Sequence, residues 1–162
     1  MVGEGGAAGM TAYVGIDPGA HGAIAYVRGG VFALDGAYWD AEEFAKHTPL
    51  EWFEFLKFIK ATHGAFAMIE RVSAMPRQGV SSTFKFGYQA GMCEAFVIAA
   101  GIPYEFVTPA KWQATMKCLS HGDKNVTKKA AEALFPGPLR ITHGNADALL
   151  IAEYCRRTRG DR

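Results

Sequence analysis

Four residues from three separate parts of the chain carry side chains able to bind a divalent metal ion. Asp17 and Glu70 each end a short apolar segment typical of a buried strand. A carboxylate in that position costs free energy unless a cation or hydrogen-bond donors offset its desolvation. His143 and Asp147 are four residues apart near the end of the chain, which is one turn of a helix. We therefore predict a divalent-metal site formed by these four side chains.

This prediction has a plain structural alternative. Asp17 and Asp147 could be a turn acid and a surface acid without a chemical role, and His143 could be a histidine at a helix start that points to solvent. The elements around each residue decide between the two interpretations.

The pattern of apolar and turn-forming segments predicts an α/β fold. A capping Thr48, Pro49 at the first helical position and Glu51 mark the start of the first helix. Ser81 and Ser82 are N-cap candidates for the second. Strands are predicted at 11–17, 23–28, 31–35 (after a hairpin turn at 28–30), 65–70 and 103–107, and helices at 49–62, 82–100, 109–116, 124–134 and 143–158.

Composition fits one compact domain. The chain has 162 residues, of which 49% are hydrophobic and 20% charged, and we predict a single domain over 10–162. Residues 1–9 have little to bury, so we expect a disordered leader or a segment left over from cloning. No segment approaches the ~20 apolar residues of a membrane span, and no signal peptide is evident, so an intracellular protein without membrane association is expected. The three cysteines lack a CxxC spacing, which predicts buried thiols.

Charge is unevenly distributed along the chain. Residues 1–100 carry 7 basic and 10 acidic side chains, whereas residues 101–162 carry 10 and 6. A basic second half is compatible with binding a polyanion and equally with an ordinary solvated surface, so charge alone does not separate the two.

The predicted order β-β-β-α-β-α-β-α, with acids at the ends of the first and fourth strands and on a late helix, matches the ribonuclease H-like fold. That fold is a five-stranded mixed sheet with its first three strands antiparallel and helices on both faces. The chain resembles the RuvC-like Holliday junction resolvases, most closely the branch of phages and plant organelles. The matching segments are 15–19 (GIDPG), 69–70 (IE), 75–76 (MP), 78–87 (QGVSSTFKFG), 108–109 (TP), 111–112 (KW), 134–136 (LFP) and 146–152 (ADALLIA).

This resemblance implies a metal-dependent endonuclease that resolves four-way DNA junctions by symmetric cleavage. Asp17 would be the ligand shared by two Mg²⁺ or Mn²⁺ ions, with Glu70, His143 and Asp147 around it. Two such ions about 3.5–4 Å apart can activate a water and stabilise the departing oxygen. A homodimer is implied because two strands are cut, and the helix 82–100, with Gly87 and Gly91, is the expected interface. The expected location is bacterial or phage-infected cytoplasm, or an organelle.

The resemblance also places a DNA-binding surface. Gly79 allows close backbone approach, and hydroxyl groups with free amides at a helix start can hold a phosphate. The alternative is an ordinary helix cap with solvated neighbours. The predicted DNA-binding residues are Arg77, Gln78, Gly79, Ser81, Ser82, Lys85, Lys111, Lys124 and Lys128.

His143 departs from the commoner family pattern, in which an aspartate occupies this position, although some resolvases have histidine there. A neutral imidazole can bind a metal or accept a proton from the attacking water. We therefore predict that activity rises through about pH 6–7, where histidine ordinarily titrates. The softer ligand should also favour Mn²⁺ over Mg²⁺.

Three other functions compete with this one. A nuclease of the same fold could act on flaps or RNA–DNA hybrids, and a junction-binding protein could bind without cutting. The segment 15–19 could instead be the phosphate hairpin of an actin-like ATP-binding domain, but that fold needs a far longer duplicated chain.

Overall fold

A computed structural model of the chain describes residues 11–28, 39–62, 64–74 and 76–160. The predicted leader at 1–9, the hairpin turn after Arg28 and the strand predicted at 31–35 lie outside these residues.

In the part of the chain that the structure describes, five strands form one mixed sheet in the order β3-β2-β1-β4-β5. β1 pairs antiparallel with β2, and β2 antiparallel with β3, whereas β1, β4 and β5 run parallel. This arrangement confirms the predicted fold class. The strands are β1 (Ala12–Asp17), β2 (Ala23–Arg28), β3 (Trp39–Glu43), β4 (Ala65–Glu70) and β5 (Tyr104–Val107).

Among the described residues, five α-helices cover the two faces of the sheet. A short 3₁₀ turn, Phe44–Lys46, follows β3. The helices are α1 (Pro49–Thr62), α2 (Val80–Ala99), α3 (Pro109–Thr115), α4 (Lys124–Leu134) and α5 (Ala146–Arg159).

Helix α5 is the central element of one face. Its residues 146–155 are all buried, because α5 lies against β1, β2 and β4 on one side and against α3 and α4 on the other. Gly15 makes the contact with β1 possible, since a Cβ at this position would overlap the carbonyl oxygen of Ala148 and the amide nitrogen of Ala152. Only glycine allows a helix backbone to approach a strand this closely.

Helices α1 and α2 cover the opposite face. Trp52 and Leu56 of α1 are buried there with Cys93 and Val97 of α2. Phe84 and Tyr88, on another side of α2, are largely exposed. The three cysteines are buried free thiols, as predicted.

Strand β3 was not predicted from the sequence. Trp39 and Ala41 of this strand face the core. The other three residues are acids, which strands disfavour: Asp40, Glu42 and Glu43. Charged side chains are nevertheless typical of edge strands, where they discourage pairing with another chain. In the described part of the chain, no helix has the length and apolar character needed to cross a bilayer.

Candidate active site

Asp17 and Glu70 end two neighbouring parallel strands. Ile16 of β1 lies opposite Ile69 of β4, so the next residue of each strand is at the same edge of the sheet. Because side chains alternate along a strand, Asp17 shares its face with Gly15, against which α5 packs. The turn after Asp17 is held by α2, whose Gln89 side chain donates to the Gly19 carbonyl oxygen at 2.8 Å.

Asp147 approaches this edge from α5. It lies in the first helical turn, next to Ala148, whose carbonyl contacts the Gly15 position. The close crossing of β1 and α5 therefore fixes Asp147 beside the two strand ends. We refer to Asp17, Glu70 and Asp147 as the acidic cluster.

The acidic cluster concentrates negative charge in a poorly solvated place. Asp17 and Asp147 are each only 7% exposed. Burial raises the pKa of Asp17 well above its usual range, and the neighbouring charges of Glu70 and Asp147 raise it further. Burial also raises the pKa of Glu70, against the lowering effect of a hydrogen bond from Trp112. This is the pattern expected of a site that holds a cation.

Lys124, the first residue of α4, provides one positive charge. Its Nζ donates to Asp147 Oδ2 at 3.1 Å. The pKa of Lys124 is raised, because attraction to Asp147, Asp17 and Glu70 outweighs the opposing effect of its own burial. The other oxygen of this carboxylate, Asp147 Oδ1, is buried and has no hydrogen-bond partner among the described residues.

Trp112 orients the third carboxylate. The indole Nε1 of this fully buried residue of α3 donates to Glu70 Oε2 at 2.7 Å. A cleft of about 530 Å³ opens beside these groups and is lined by Glu70, Lys124, Asp147 and His121, among others. Glu70 and Asp147 are therefore accessible to a ligand from this cleft, and Asp17 lies behind them.

Carboxylate oxygens are the donors that Mg²⁺ and Mn²⁺ prefer, and Mg²⁺ commonly uses only one or two protein carboxylates together with water and substrate. Within the described ranges, no three His, Cys, Asp or Glu side chains are grouped closely enough to hold one ion. The unpartnered Asp147 Oδ1 and the mutual repulsion of the acids nevertheless fit a divalent cation that completes its coordination from solvent and substrate.

Comparison with known proteins gives matches in structure only. No protein-family model and no curated protein sequence matches the chain. Thermus thermophilus RuvC matches with a TM-score of 0.54 and 18% identity, over 93% of this chain and 96% of that chain. T. thermophilus RuvC in complex with Holliday junction substrate matches with a TM-score of 0.55 and 20% identity, over 90% and 92% of the two chains.

The chain has a RuvC-like fold. On this fold, Asp17 and Glu70 end β1 and β4 as the sequence predicted. The narrower prediction, of a phage or plant-organelle branch, stays a prediction.

The predicted placement of His143 on one helical face with Asp147 is wrong. Helix α5 begins at Ala146, and His143 lies in the turn before it. The side chain of Thr142 accepts hydrogen bonds from the amides of Gly144 and Asn145, both at 3.1 Å. Such local side-chain bonds replace the first helical turn that the i, i+4 spacing had suggested.

The predicted DNA-binding residues occupy two regions of the RuvC-like fold. Arg77 and Gly79 precede α2, while Ser81, Ser82 and Lys85 lie exposed in its first two turns. The N-cap prediction is wrong, because Gly79 is the N-cap and its carbonyl accepts from the Thr83 amide at 2.9 Å. Gln78 belongs to the first region; Lys111, Lys124 and Lys128, of α3 and α4, form the second.

Trp112 and His121 had no role in the sequence-based prediction. Trp112 was noticed only as part of a matching segment, and its bond to Glu70 spans 42 positions in the chain. His121 lines the cleft from a loop in which its own φ is 48° and that of Lys117 is 57°. Positive φ at non-glycine residues is uncommon overall, and the residues that adopt it cluster near functional sites. No sequence motif predicts this backbone conformation.

Proposed function

We propose that this protein is a structure-selective endonuclease that resolves four-way DNA junctions by metal-dependent phosphodiester hydrolysis. The observation that carries the proposal is the acidic cluster: three carboxylates from β1, β4 and α5 converge beside a cleft on a RuvC-like sheet. Function on a shared fold must be argued from the site, and this site is anionic, poorly solvated and open to a ligand.

Asp17, Glu70 and Asp147 would hold two Mg²⁺ or Mn²⁺ ions, with Asp17 shared between them. When bound, such ions supply an activated water and stabilise charge on the departing oxygen. Trp112 keeps Glu70 oriented through its 2.7 Å hydrogen bond. Lys124 carries positive charge at the cleft, where an anionic substrate would enter.

His143 stays in the proposed site as a residue of its rim. It lies in the turn that leads into α5 and is exposed to solvent, with which an imidazole can exchange protons. It would bind a metal ion or accept a proton from the attacking water, and we expect its contribution to be smaller than that of the buried acids.

Branched DNA is the proposed substrate. The start of α2 and the lysines of α3 and α4 offer exposed donors for phosphate contacts, which position DNA without reading its sequence. One structure with the same fold is a RuvC in complex with Holliday junction substrate. We place the activity in a compartment that contains DNA, either bacterial or phage-infected cytoplasm or an organelle.

A homodimer would set two active sites against the two strands of a junction. Helix α2 is the proposed interface because it exposes apolar side chains along its outer face. Val80, Phe84, Tyr88 and Ile98 are 89%, 74%, 66% and 58% exposed. Between them, a Cβ added at Gly87 or Gly91 would meet no atom of the described residues within 4 Å, which leaves room for a second helix. Phe84→Glu with Tyr88→Glu should convert a dimer to a monomer in sedimentation velocity.

A panel of end-labelled substrates tests the proposal: a four-way junction, a duplex, a flap and an RNA–DNA hybrid, each with Mg²⁺, Mn²⁺ or EDTA. Paired symmetric nicks in the junction that require a divalent metal would support it. Preferred cutting of flap or hybrid would keep the metal site but overturn the substrate. Junction binding with no cutting in any metal would point to a structural binder.

A further inference from the structure

Lys124 is the cation in contact with the acidic cluster, and its position is unusual for a structural ion pair. The Lys124 side chain is 55% exposed while that of Asp147 is 10% exposed, and Nζ contacts only Oδ2 of the carboxylate at 3.1 Å. A long, half-exposed lysine with one contact can leave this position by rotating about its own bonds at small cost.

The backbone beneath Lys124 is fixed. Asp123 is the N-cap of α4, and its side chain accepts a hydrogen bond from the Asn125 amide at 2.9 Å. Movement of the ammonium therefore requires no movement of α4. The side chain already lines the cleft together with Glu70 and Asp147, so the space it would move through lies beside the site.

One lysine is a poor match for the charge that it faces. Three carboxylates converge on a single ammonium, and Asp147 Oδ1 remains buried without a partner among the described residues. A divalent ion carries twice the charge and can approach carboxylate oxygens at about 2.0–2.1 Å, closer than an ammonium. An ion entering the cluster would therefore compete with Lys124 for Asp147.

We propose that Lys124 is a displaceable counter-cation: its ammonium neutralises Asp147 while the acidic cluster is free of metal, and a divalent ion displaces it into the cleft. The inference rests on the proposed function, because it describes how the same site is charged before and after metal binding. Lys124 thus stabilises the metal-free protein and weakens metal binding.

Titration calorimetry with Mn²⁺, in the absence of DNA, measures this competition. Lys124→Gln should bind Mn²⁺ about fivefold more tightly than wild type, the ratio expected for losing one partly exposed ion pair. Lys124→Arg should bind it more weakly than wild type, because a guanidinium holds a carboxylate through two hydrogen bonds. Lys129→Gln, which removes one positive charge elsewhere on α4, is the control for net charge and should match wild type.

Thermal unfolding provides a second readout. In EDTA, Lys124→Gln should unfold at a lower temperature than Lys129→Gln, and saturating Mn²⁺ should remove the difference. If Lys124→Gln does not fold, the weaker Mn²⁺ affinity of Lys124→Arg decides the question.

The outcomes separate this inference from the proposed function. Equal Mn²⁺ affinity in wild type, Lys124→Gln and Lys124→Arg would overturn the exchange without contradicting a metal-dependent nuclease. The predicted affinity shifts in a protein that cuts no junction would support the exchange and contradict the function. Absence of Mn²⁺ binding to wild type would overturn both.

Discussion

Helix α5 buries two acids, one in its first turn and one near its middle, and the two acids have opposite surroundings. Asp147 and Glu153 are both 7% exposed. Glu153 accepts hydrogen bonds from Arg156 Nε and Nη2 and from Arg157 Nε, each at 2.8 Å. Asp147 has one bond to Lys124 and an oxygen without a partner among the described residues, and it faces Asp17 and Glu70.

This difference distinguishes a buried acid with charged partners from buried acids that repel one another. Burial alone would raise the pKa of Glu153, but the two arginines lower it below its usual value. At Asp17, burial and the neighbouring acids act in the same direction and raise the pKa. A buried acid with its partners supplied stabilises the fold, whereas buried acids that repel one another cost stability and indicate a ligand.

The largest expected effect on stability comes from a substitution that forces α5 away from β1. Asp147 and Glu153 lie on α5, and Asp17 lies on β1. Gly15→Ala should lower the free energy of unfolding by at least about 3 kcal/mol, because the added Cβ overlaps backbone atoms of Ala148 and Ala152 that cannot yield without moving α5. Urea denaturation measures the loss. Gly64→Ala is the control, since its Cβ would meet Thr11 Oγ1 at an ordinary 3.7 Å. Equal stabilities of the two variants would contradict the close crossing.

Neutralising Glu153 and neutralising Asp17 of the acidic cluster should change stability in opposite directions. Glu153→Gln should lower the free energy of unfolding by about 2 kcal/mol, because Arg156 and Arg157 lose a buried charged partner. Asp17→Asn should raise the free energy of unfolding by about 1 kcal/mol at pH 7 in EDTA, because a buried charge repelled by Glu70 and Asp147 is removed. Urea denaturation of both variants compares them directly. A loss of stability in Asp17→Asn would mean that its charge is satisfied.

Trp112→Phe tests how the acidic cluster is oriented. The substitution keeps an aromatic ring but removes the donor to Glu70 Oε2. Junction cleavage should fall about tenfold and the free energy of unfolding by about 2 kcal/mol, the cost of one hydrogen bond to a charged group. Single-turnover cleavage rates provide the measurement. An unchanged rate would show that Glu70 does not need this bond.

The contribution of Glu153 to stability should also depend on pH in a defined direction. A carboxylate with a lowered folded pKa stabilises the protein above its unfolded pKa, near 4.3 for Glu, and this contribution is lost as the pH falls through the folded pKa. The stability difference between wild type and Glu153→Gln should therefore be constant above about pH 5 and shrink below about pH 4. A difference that grows at low pH would reverse the assigned sign.

The smallest effect is expected at His143, outside the buried acids. His143→Asp should lower the ratio of Mn²⁺ to Mg²⁺ cleavage rates, because it removes the softer imidazole ligand. Pre-steady-state cleavage with each metal measures this ratio. An identical ratio in the two proteins would remove His143 from the site.

The sequence predicted the acidic cluster well because each acid belongs to a strongly patterned element. Asp17 and Glu70 end apolar strands, and parallel pairing then places them at one edge. Asp147 lies on a long apolar helix that has to be buried against the sheet. Local pattern and global fold agree at these three positions.

Other features could not be predicted from the sequence. They depend on contacts between distant parts of the chain, or on local hydrogen bonds that compete with helix formation. The bond between Lys124 and Asp147 spans 23 positions, and no spacing rule predicts it. His143 fell outside α5 because Thr142 bonds the amides of the preceding turn. Strand β3 is rich in acids, so its pairing with β2 overrides a weak strand propensity.

One measurement tests most directly the claim that the acidic cluster is a catalytic metal site. Cleavage of a labelled four-way junction should be followed with wild type, Asp17→Asn and Glu153→Gln, in Mn²⁺ and in EDTA. We predict that EDTA abolishes cleavage and that Asp17→Asn slows it by at least about 100-fold, while Glu153→Gln cuts at nearly the wild-type rate below its unfolding temperature. Metal-independent cleavage, or equal losses in Asp17→Asn and Glu153→Gln, would contradict the claim.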